Sequence, residues 1–379
     1  MAYTDGLVAV QKRIIENGIS SGSTLMSGDG SGVLFCNHEG VRDAETMDPV
    51  DGDTIFHMYS MTKVMTVVCA LSLWEQGLLE LDAPVGEYIP EYSDLSVSDN
   101  GNVRAAKKTM TVRHLFTMTS GLTYLYEYGE KTPDCLLKRL DTVGFAKALA
   151  SLPLAFEPGE RFNYSLSHDV LGAIIEIITG KTLDKVFKEK IFGPLGMADA
   201  YFYQSIPEEK TKRLAKNTAY ADGKFVNIPL YSRPAPALGD LNGDLIFSGG
   251  SGLVCTARDY AAFLTEMANG GGRLLKPMTV KMMTSPQLDE KERKYYNIDF
   301  MDPATFGEEH TYALGVRVQD KISAERGGVI GEWGWSGALG TWFFVTPSGE
   351  WFLYLHQNSP AYFYKYIIDL RKAYYDRRG

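Results

Sequence analysis

Several features that would mark common functions are scarce or missing in this sequence. The four cysteines (Cys36, Cys69, Cys135 and Cys255) lie far apart and form no C-x-x-C pair. That excludes a zinc ribbon and a disulfide framework, and suits free thiols in a reducing, cytoplasmic compartment. The six histidines show no H-x-x-x-H or other ligand spacing, so neither a metal nor another cofactor is expected. No basic run stands out, and 47 acidic against 38 basic side chains give a formal charge of −9. Nucleic acid is therefore not an expected partner. The longest nearly apolar run, Val64 to Trp74, is too short to span a bilayer, so no membrane partner is expected. The first residues lack the charged start, apolar stretch and cleavage site of a signal peptide. Repeats and low-complexity tracts are absent as well.

Two short matches also fail. Gly180-Lys181-Thr182 resembles the end of a phosphate-binding loop, but Ile175 stands where that loop needs its first glycine. Gly180 reads instead as the stop of a helix over 169–179. Neither Gly334-Trp335-Ser336-Gly337 nor Gly249-Gly250-Ser251-Gly252 completes G-x-S-x-G.

What is present points to a folded globular protein. Of 379 residues, 45% are apolar, enough for a sizeable core. An amphipathic helix opens the chain, followed by strands over 23–28 and 32–37 joined by a Gly-Asp-Gly turn. Aromatic-rich runs over 341–346 and 351–356, separated by Pro-Ser-Gly-Glu, predict a second hairpin, and 361–375 has helical spacing. Strands at both ends with helices between them predict an α+β fold: one antiparallel sheet assembled from the two chain ends and flanked by helices. The expected sheet subdomain covers about 1–59 and 246–379, with a mostly helical subdomain inserted over about 60–245. Residues 93–110 and 286–310 read as polar loops.

Ser60-Met61-Thr62-Lys63 precedes an apolar helical stretch that ends near Gly77. The spacing puts Ser60 in the first turn and Lys63 on the same face. A serine alcohol needs a base within hydrogen-bond reach, and burial at a helix N-terminus disfavours a charged ammonium. The four residues alone describe a serine cap, followed by a lysine that reaches to water, more readily than a catalytic pair.

The wider sequence resembles the class C β-lactamases and penicillin-binding-protein-like serine hydrolases. The resemblance is carried by Asp53-Thr54-Ile55-Phe56, Ser60 to Lys63, Leu73 to Val85, Thr111 to Leu122, Phe162 to Ser165, Asp169 to Gly172, Ser248 to Leu253 and Thr256 to Tyr260. These segments keep the family's order from about residue 5 to 370. The resemblance implies a β-lactamase/transpeptidase-like fold and three site elements. Ser60 and Lys63 match the nucleophile motif, Tyr164 matches the tyrosine of Y-x-N, and Trp335-Ser336-Gly337 stands where the lactamases have Lys-Thr-Gly. It further implies an oxyanion hole from the backbone N–H groups of Ser60 and Ala338. Either Lys63 or Tyr164 can serve as the base, and sequence leaves that choice open.

Two departures bear on substrate. Leu166 replaces the Y-x-N asparagine and Trp335 the lysine, making an apolar wall that suits an ester better than an anionic β-lactam. Tyr124, Tyr126, Trp333 and Tyr203 either extend that wall or belong to the core. The expected activity is ester hydrolysis through a Ser60 acyl-enzyme, with a small-molecule ester or amide as substrate. The alternatives are a β-lactamase or D-Ala-D-Ala peptidase, and a non-catalytic ligand-binding homologue. Arg113-His114 is read as the anchor of a loop and a helix start.

Overall fold

The computed structural model describes residues 3–99, 101–127, 136, 140–229, 246–296, 307–356 and 364–376. Helix α1 (Tyr3–Glu16) leads into the hairpin β1 (Gly22–Asp29) and β2 (Gly32–Gly40). Strand β3 (Ile55–His57) runs through a tight turn into α2 (Thr62–Trp74). A small hairpin, β4 (Ser96–Asp99) and β5 (Asn102–Ala105), precedes helices α3 (Val112–Phe116), α4 (Thr142–Leu149) and α5 (Ser167–Thr179). Then come β6 (Ala200–Phe202), the hairpin β7 (Thr218–Ala221) and β8 (Lys224–Asn227), and β9 (Leu253–Thr256). The remaining strands are β10 (His310–Tyr312), β11 (Arg317–Gln319), β12 (Trp333–Ser336), β13 (Trp342–Val345) and β14 (Glu350–His356).

Seven strands form one antiparallel sheet in the order β10-β11-β12-β13-β14-β1-β2. The two chain ends meet where β1 pairs β14, with Thr24 opposite Leu355. Successive strand residues point to opposite faces, and here both faces are covered. Phe344 and Phe352 pack on Tyr374 of the helix Tyr364–Tyr375, whereas Phe343 packs on Tyr260 of the helix Ala257–Ala268. Burial on both sides explains why β13 and β14 read as aromatic runs with no polar alternation. Helix α2 is buried almost all round and packs on α5, as expected of a helix without a polar face.

The sequence expectations for both hairpins and the closing helix agree with these elements, with residues 361–363 outside the described set. The first hairpin turns at Gly30-Ser31, since β1 runs on to Asp29 after a bulge between Ser27 and Gly28. Gly180 ends α5 with φ 64°. Arg113 makes a bidentate pair with Asp82 (2.6 and 2.8 Å), and His114 Nδ1 accepts the Thr111 N–H at 3.1 Å, so this pair does anchor a loop and a helix start. Two expectations are corrected. Residues 93–110 contain the β4–β5 hairpin, tied to the chain by Ser98 N–H to Leu154 O at 2.8 Å. Within 286–310, a capping box at Asp289 and Glu292 starts the helix Glu290–Tyr295; residues 297–306 lie outside the described set. No helix among the described residues is long and apolar enough to cross a membrane.

A buried ionic cluster fastens the last helix to the sheet. Glu332, fully buried, accepts from Arg317 Nη2 at 3.1 Å, from Arg371 Nη1, and from Tyr375 OH at 2.6 Å. Removing the one carboxylate would leave two guanidinium groups facing each other in the core. Glu332→Ala should therefore lower stability by about 3–5 kcal/mol, read as an earlier midpoint in urea unfolding; a loss below about 1 kcal/mol would show that the cluster adds nothing to the fold.

Candidate active site

The site begins where β3 ends. Tyr59 takes a φ of 46°, which swings the chain out of the strand and through a single 3-10 turn, Tyr59–Met61, before α2 starts at Thr62. Ser60 thus lies in the 3-10 turn that leads directly into α2, whose α-helical residues begin two positions later. The predicted juxtaposition holds nonetheless: Lys63 Nζ lies 3.4 Å from Ser60 Oγ.

Lys63 is 1% exposed, and a buried ammonium needs an acceptor for each proton. Its Nζ donates to the Gly250 carbonyl at 2.7 Å, to Tyr124 OH at 3.3 Å and to Ser60 Oγ at 3.4 Å. The nitrogen also lies 4.7 Å from the centroid of the Tyr164 ring. Its strongest partner is a backbone carbonyl, so the Ser248–Gly252 loop must be held in place. Ser248 Oγ and Gly250 N–H both donate to Asp169 Oδ1, at 2.5 and 3.2 Å, and Thr66 Oγ1 donates to Gly249 O at 2.7 Å. A Cβ on Gly249 would come within 2.5 Å of His168 O, and one on Gly250 within 2.5 Å of Asp169 Oδ2. Both positions require glycine for close approach. Burial pushes the Asp169 carboxyl above its ordinary range, partly offset by Lys63 and by these two donors.

Tyr164 is half-buried just before α5. Trp335 Nε1 donates to its hydroxyl at 3.3 Å, and the rings of Tyr124 and Trp335 lie 5.8 and 5.5 Å from its ring. Strand β12, which carries Trp335 and Ser336, ends against the Tyr59–Met61 turn. A Cβ on Gly337 would meet Met58 O at 2.3 Å and Tyr59 Cβ at 3.2 Å. Thr341 Oγ1 also donates to Met58 O, at 3.2 Å. Ala338 follows, exposed, in a tight turn where Leu339 has φ 64°.

The structure therefore gathers Ser60, Lys63, Tyr124, Tyr164 and Trp335 through direct contacts, with Gly337 against the Tyr59–Met61 turn. Ser336 is half-buried and Leu166 is a core residue, 1% exposed, at the N-cap of α5. Trp333 packs in the core against Phe343 at 5.8 Å, Tyr203 is 42% exposed beside His57, and the Tyr126 side chain lies outside the described residues. Sequence reasoning gave no role to Asp169, to the Gly250 carbonyl or to Tyr59. A signal existed for Asp169: it is an acid on a helix whose neighbours, Val170 to Ile175, are all apolar or glycine.

Comparison with known proteins gives the family and the fold. The Beta-lactamase family profile matches residues 8–367. Acyltransferase mokF of Monascus pilosus is 30% identical over 76% of this chain and 72% of its own length. Esterase EstB of Burkholderia gladioli is 36% identical over 46% of this chain and 45% of its own. Among solved structures, EstCE1, described as a hydrolase with promiscuous acyltransferase activity, superposes with a TM-score of 0.83 at 24% identity, covering 98% of each chain. With the family match spanning nearly its whole length, the chain belongs to the Beta-lactamase family.

Proposed function

We propose that this protein is a serine esterase in which Ser60 forms an acyl-enzyme. The observation that carries the reading is the 3.4 Å approach of a buried lysine nitrogen to Ser60 Oγ, beside two tyrosines, at the start of α2. In this reading Lys63, 3.4 Å from Ser60 Oγ and 2.7 Å from the Gly250 carbonyl, is the cation that orients Ser60. Tyr164 is then the group that takes the Ser60 proton and returns it to the leaving alcohol.

The reaction runs in two steps. Ser60 Oγ attacks the ester carbonyl carbon as its proton passes to the Tyr164 oxygen, which enters the step as the phenolate. The tetrahedral oxyanion forms opposite the N–H groups of Ser60 and Ala338 and collapses, breaking the carbon–oxygen bond to the alcohol, which leaves with that proton. Water then attacks the acyl-enzyme in the same way, releasing the acid and restoring Ser60. Each oxyanion donor is worth about 2.7–4 kcal/mol, and the N-terminus of α2 adds its dipole.

The neutral Trp335, standing where the resemblance places a lysine, supports an ester over a carboxylated β-lactam. The relative named an esterase, EstB, supports the hydrolytic outcome. The acyltransferase mokF favours a second reading in which an alcohol replaces water in the second step; the same residues serve both.

Release of p-nitrophenol from a short-chain ester, with nitrocefin as the comparison substrate, tests this reading. Wild type should turn over the ester and leave nitrocefin essentially uncut. Ser60→Ala should lower kcat by roughly 10⁴-fold or more; unchanged ester turnover in that variant would refute the nucleophile assignment. Tyr164→Phe, which keeps the ring contacts and removes the hydroxyl, should cost about 10²- to 10⁴-fold in kcat. If Tyr164→Phe stays within about threefold of wild type, the proton passes elsewhere and Lys63 becomes the base.

A further inference from the structure

We propose that Tyr59 is a positioning residue for the oxyanion hole, acting through its hydrogen bond to Asn217; this rests on Ser60 being the nucleophile. A bulky aromatic residue at φ 46° is a conformational outlier, and such a backbone persists only where its surroundings hold it. Three contacts do so here. The Tyr59 side chain is buried, with its ring centroid 5.7 Å from that of His57. Its hydroxyl donates to Asn217 Oδ1 at 3.3 Å. Its Cβ lies where any side chain on Gly337 would have to go, 3.2 Å from the ideal Cβ position.

Asn217 is itself fixed. It is 2% exposed, at the end of a segment that runs parallel to β3. That segment is joined to β3 by Ile55 N–H to Arg213 O at 2.9 Å and Ala215 N–H to Ile55 O at 2.8 Å. Farther along, Ile228 N–H donates to Asn217 O at 2.9 Å. The strand that delivers the nucleophile and the segment that carries Asn217 therefore advance side by side, and the tyrosine closes the gap between them.

The consequence lies in what flanks Tyr59. Ser60 follows it directly, and Ala338 directly follows Gly337, which packs on it. The two backbone N–H groups proposed to meet the oxyanion thus belong to chain segments that touch at this tyrosine. Rotation of the Tyr59 peptide would change the angle between the two donors, and preorganised donors act only when both aim at one oxygen. The phenol–amide bond fixes that angle.

The test compares wild type, Tyr59→Phe, Asn217→Ala and the double variant, with Ser60→Ala alongside. It measures kcat and KM for a p-nitrophenyl ester, thermal melting, and inhibition by an aryl boronic acid, whose tetrahedral adduct on Ser60 mimics the oxyanion. Each single variant should lose roughly 5- to 10-fold in kcat with KM within about twofold of wild type. Boronate affinity should fall in the same proportion, and the double variant should be no worse than either single one, because both remove one bond. Unchanged kcat in both singles, additive losses, or a lower melting temperature at unchanged kcat and boronate affinity would overturn the proposal. An inactive Ser60→Ala beside fully active Tyr59→Phe and Asn217→Ala removes only the role of Tyr59, whereas turnover surviving in Ser60→Ala removes the nucleophile and this inference with it.

Discussion

An ammonium group withdrawn from water must find oxygens for its protons, and much of the structure around Ser60 can be derived from that demand at Lys63. The strongest acceptor available to it is the Gly250 carbonyl at 2.7 Å. A backbone carbonyl can be aimed only by fixing its loop, so Asp169 holds Ser248 and Gly250 from one side while Thr66 holds Gly249 from the other. The loop can reach α2 and α5 so closely only because residues 249 and 250 have no side chain. Asp169 is in turn a buried acid whose carboxyl is pushed upward by burial and drawn back by Lys63 and its donors. One buried charge thus accounts for a glycine pair, a buried acid on α5 and a threonine on α2.

The same geometry explains why the chain closes its sheet from both ends. Ser60 comes from the end of β3, Tyr164 from the approach to α5, and Gly337 from the end of β12. Packing of β12 against the Met58–Tyr59 backbone brings the third element to the first. Strand β12 is held through β13 and β14 to β1. On the other side β11 and β12 meet the Glu332 cluster, which locks the last helix. The two ends of the chain therefore act on the site through strand order and not through direct contact.

Long elements with a strong signal were legible in the sequence: the first helix by its amphipathic spacing, the hairpins by their turn residues, and the helix behind Ser60 by an apolar run that ends near Gly77. The three-residue strands β3 and β6 and the four-residue β9 were not, because so few residues show no period, and their pairing to one another joins segments far apart in the chain. Residues 93–110 looked like a loop for a related reason. Strands β4 and β5 are polar and largely exposed, with only Val97 fully buried among them. At the site, Ser60, Lys63 and Tyr164 could be named because side-chain chemistry shows in a motif. The Gly250 carbonyl could not, since every residue has one and only the fold decides which is used. The left-handed turn at Tyr59 was hidden more deeply, because a tyrosine is among the residues least expected at positive φ.

The position of Trp335 links this architecture to substrate choice. Where the family resemblance places a lysine, this chain has an indole that is 2% exposed, packed between Tyr164 and Tyr312 at centroid distances of 5.5 and 5.2 Å. Its N–H still gives the Tyr164 oxygen a donor, so in the proposed reaction the proton carrier keeps a fixed orientation. What the indole cannot give is a positive charge for the carboxylate of an anionic substrate. A carboxylate desolvated beside Trp335 would lose its water without an ionic partner from that position, whereas a neutral ester meets no such cost. In the proposed reaction a neutral donor at this point keeps Tyr164 oriented and offers no charge to an anionic substrate, so the esterase reading and the Beta-lactamase family membership are compatible.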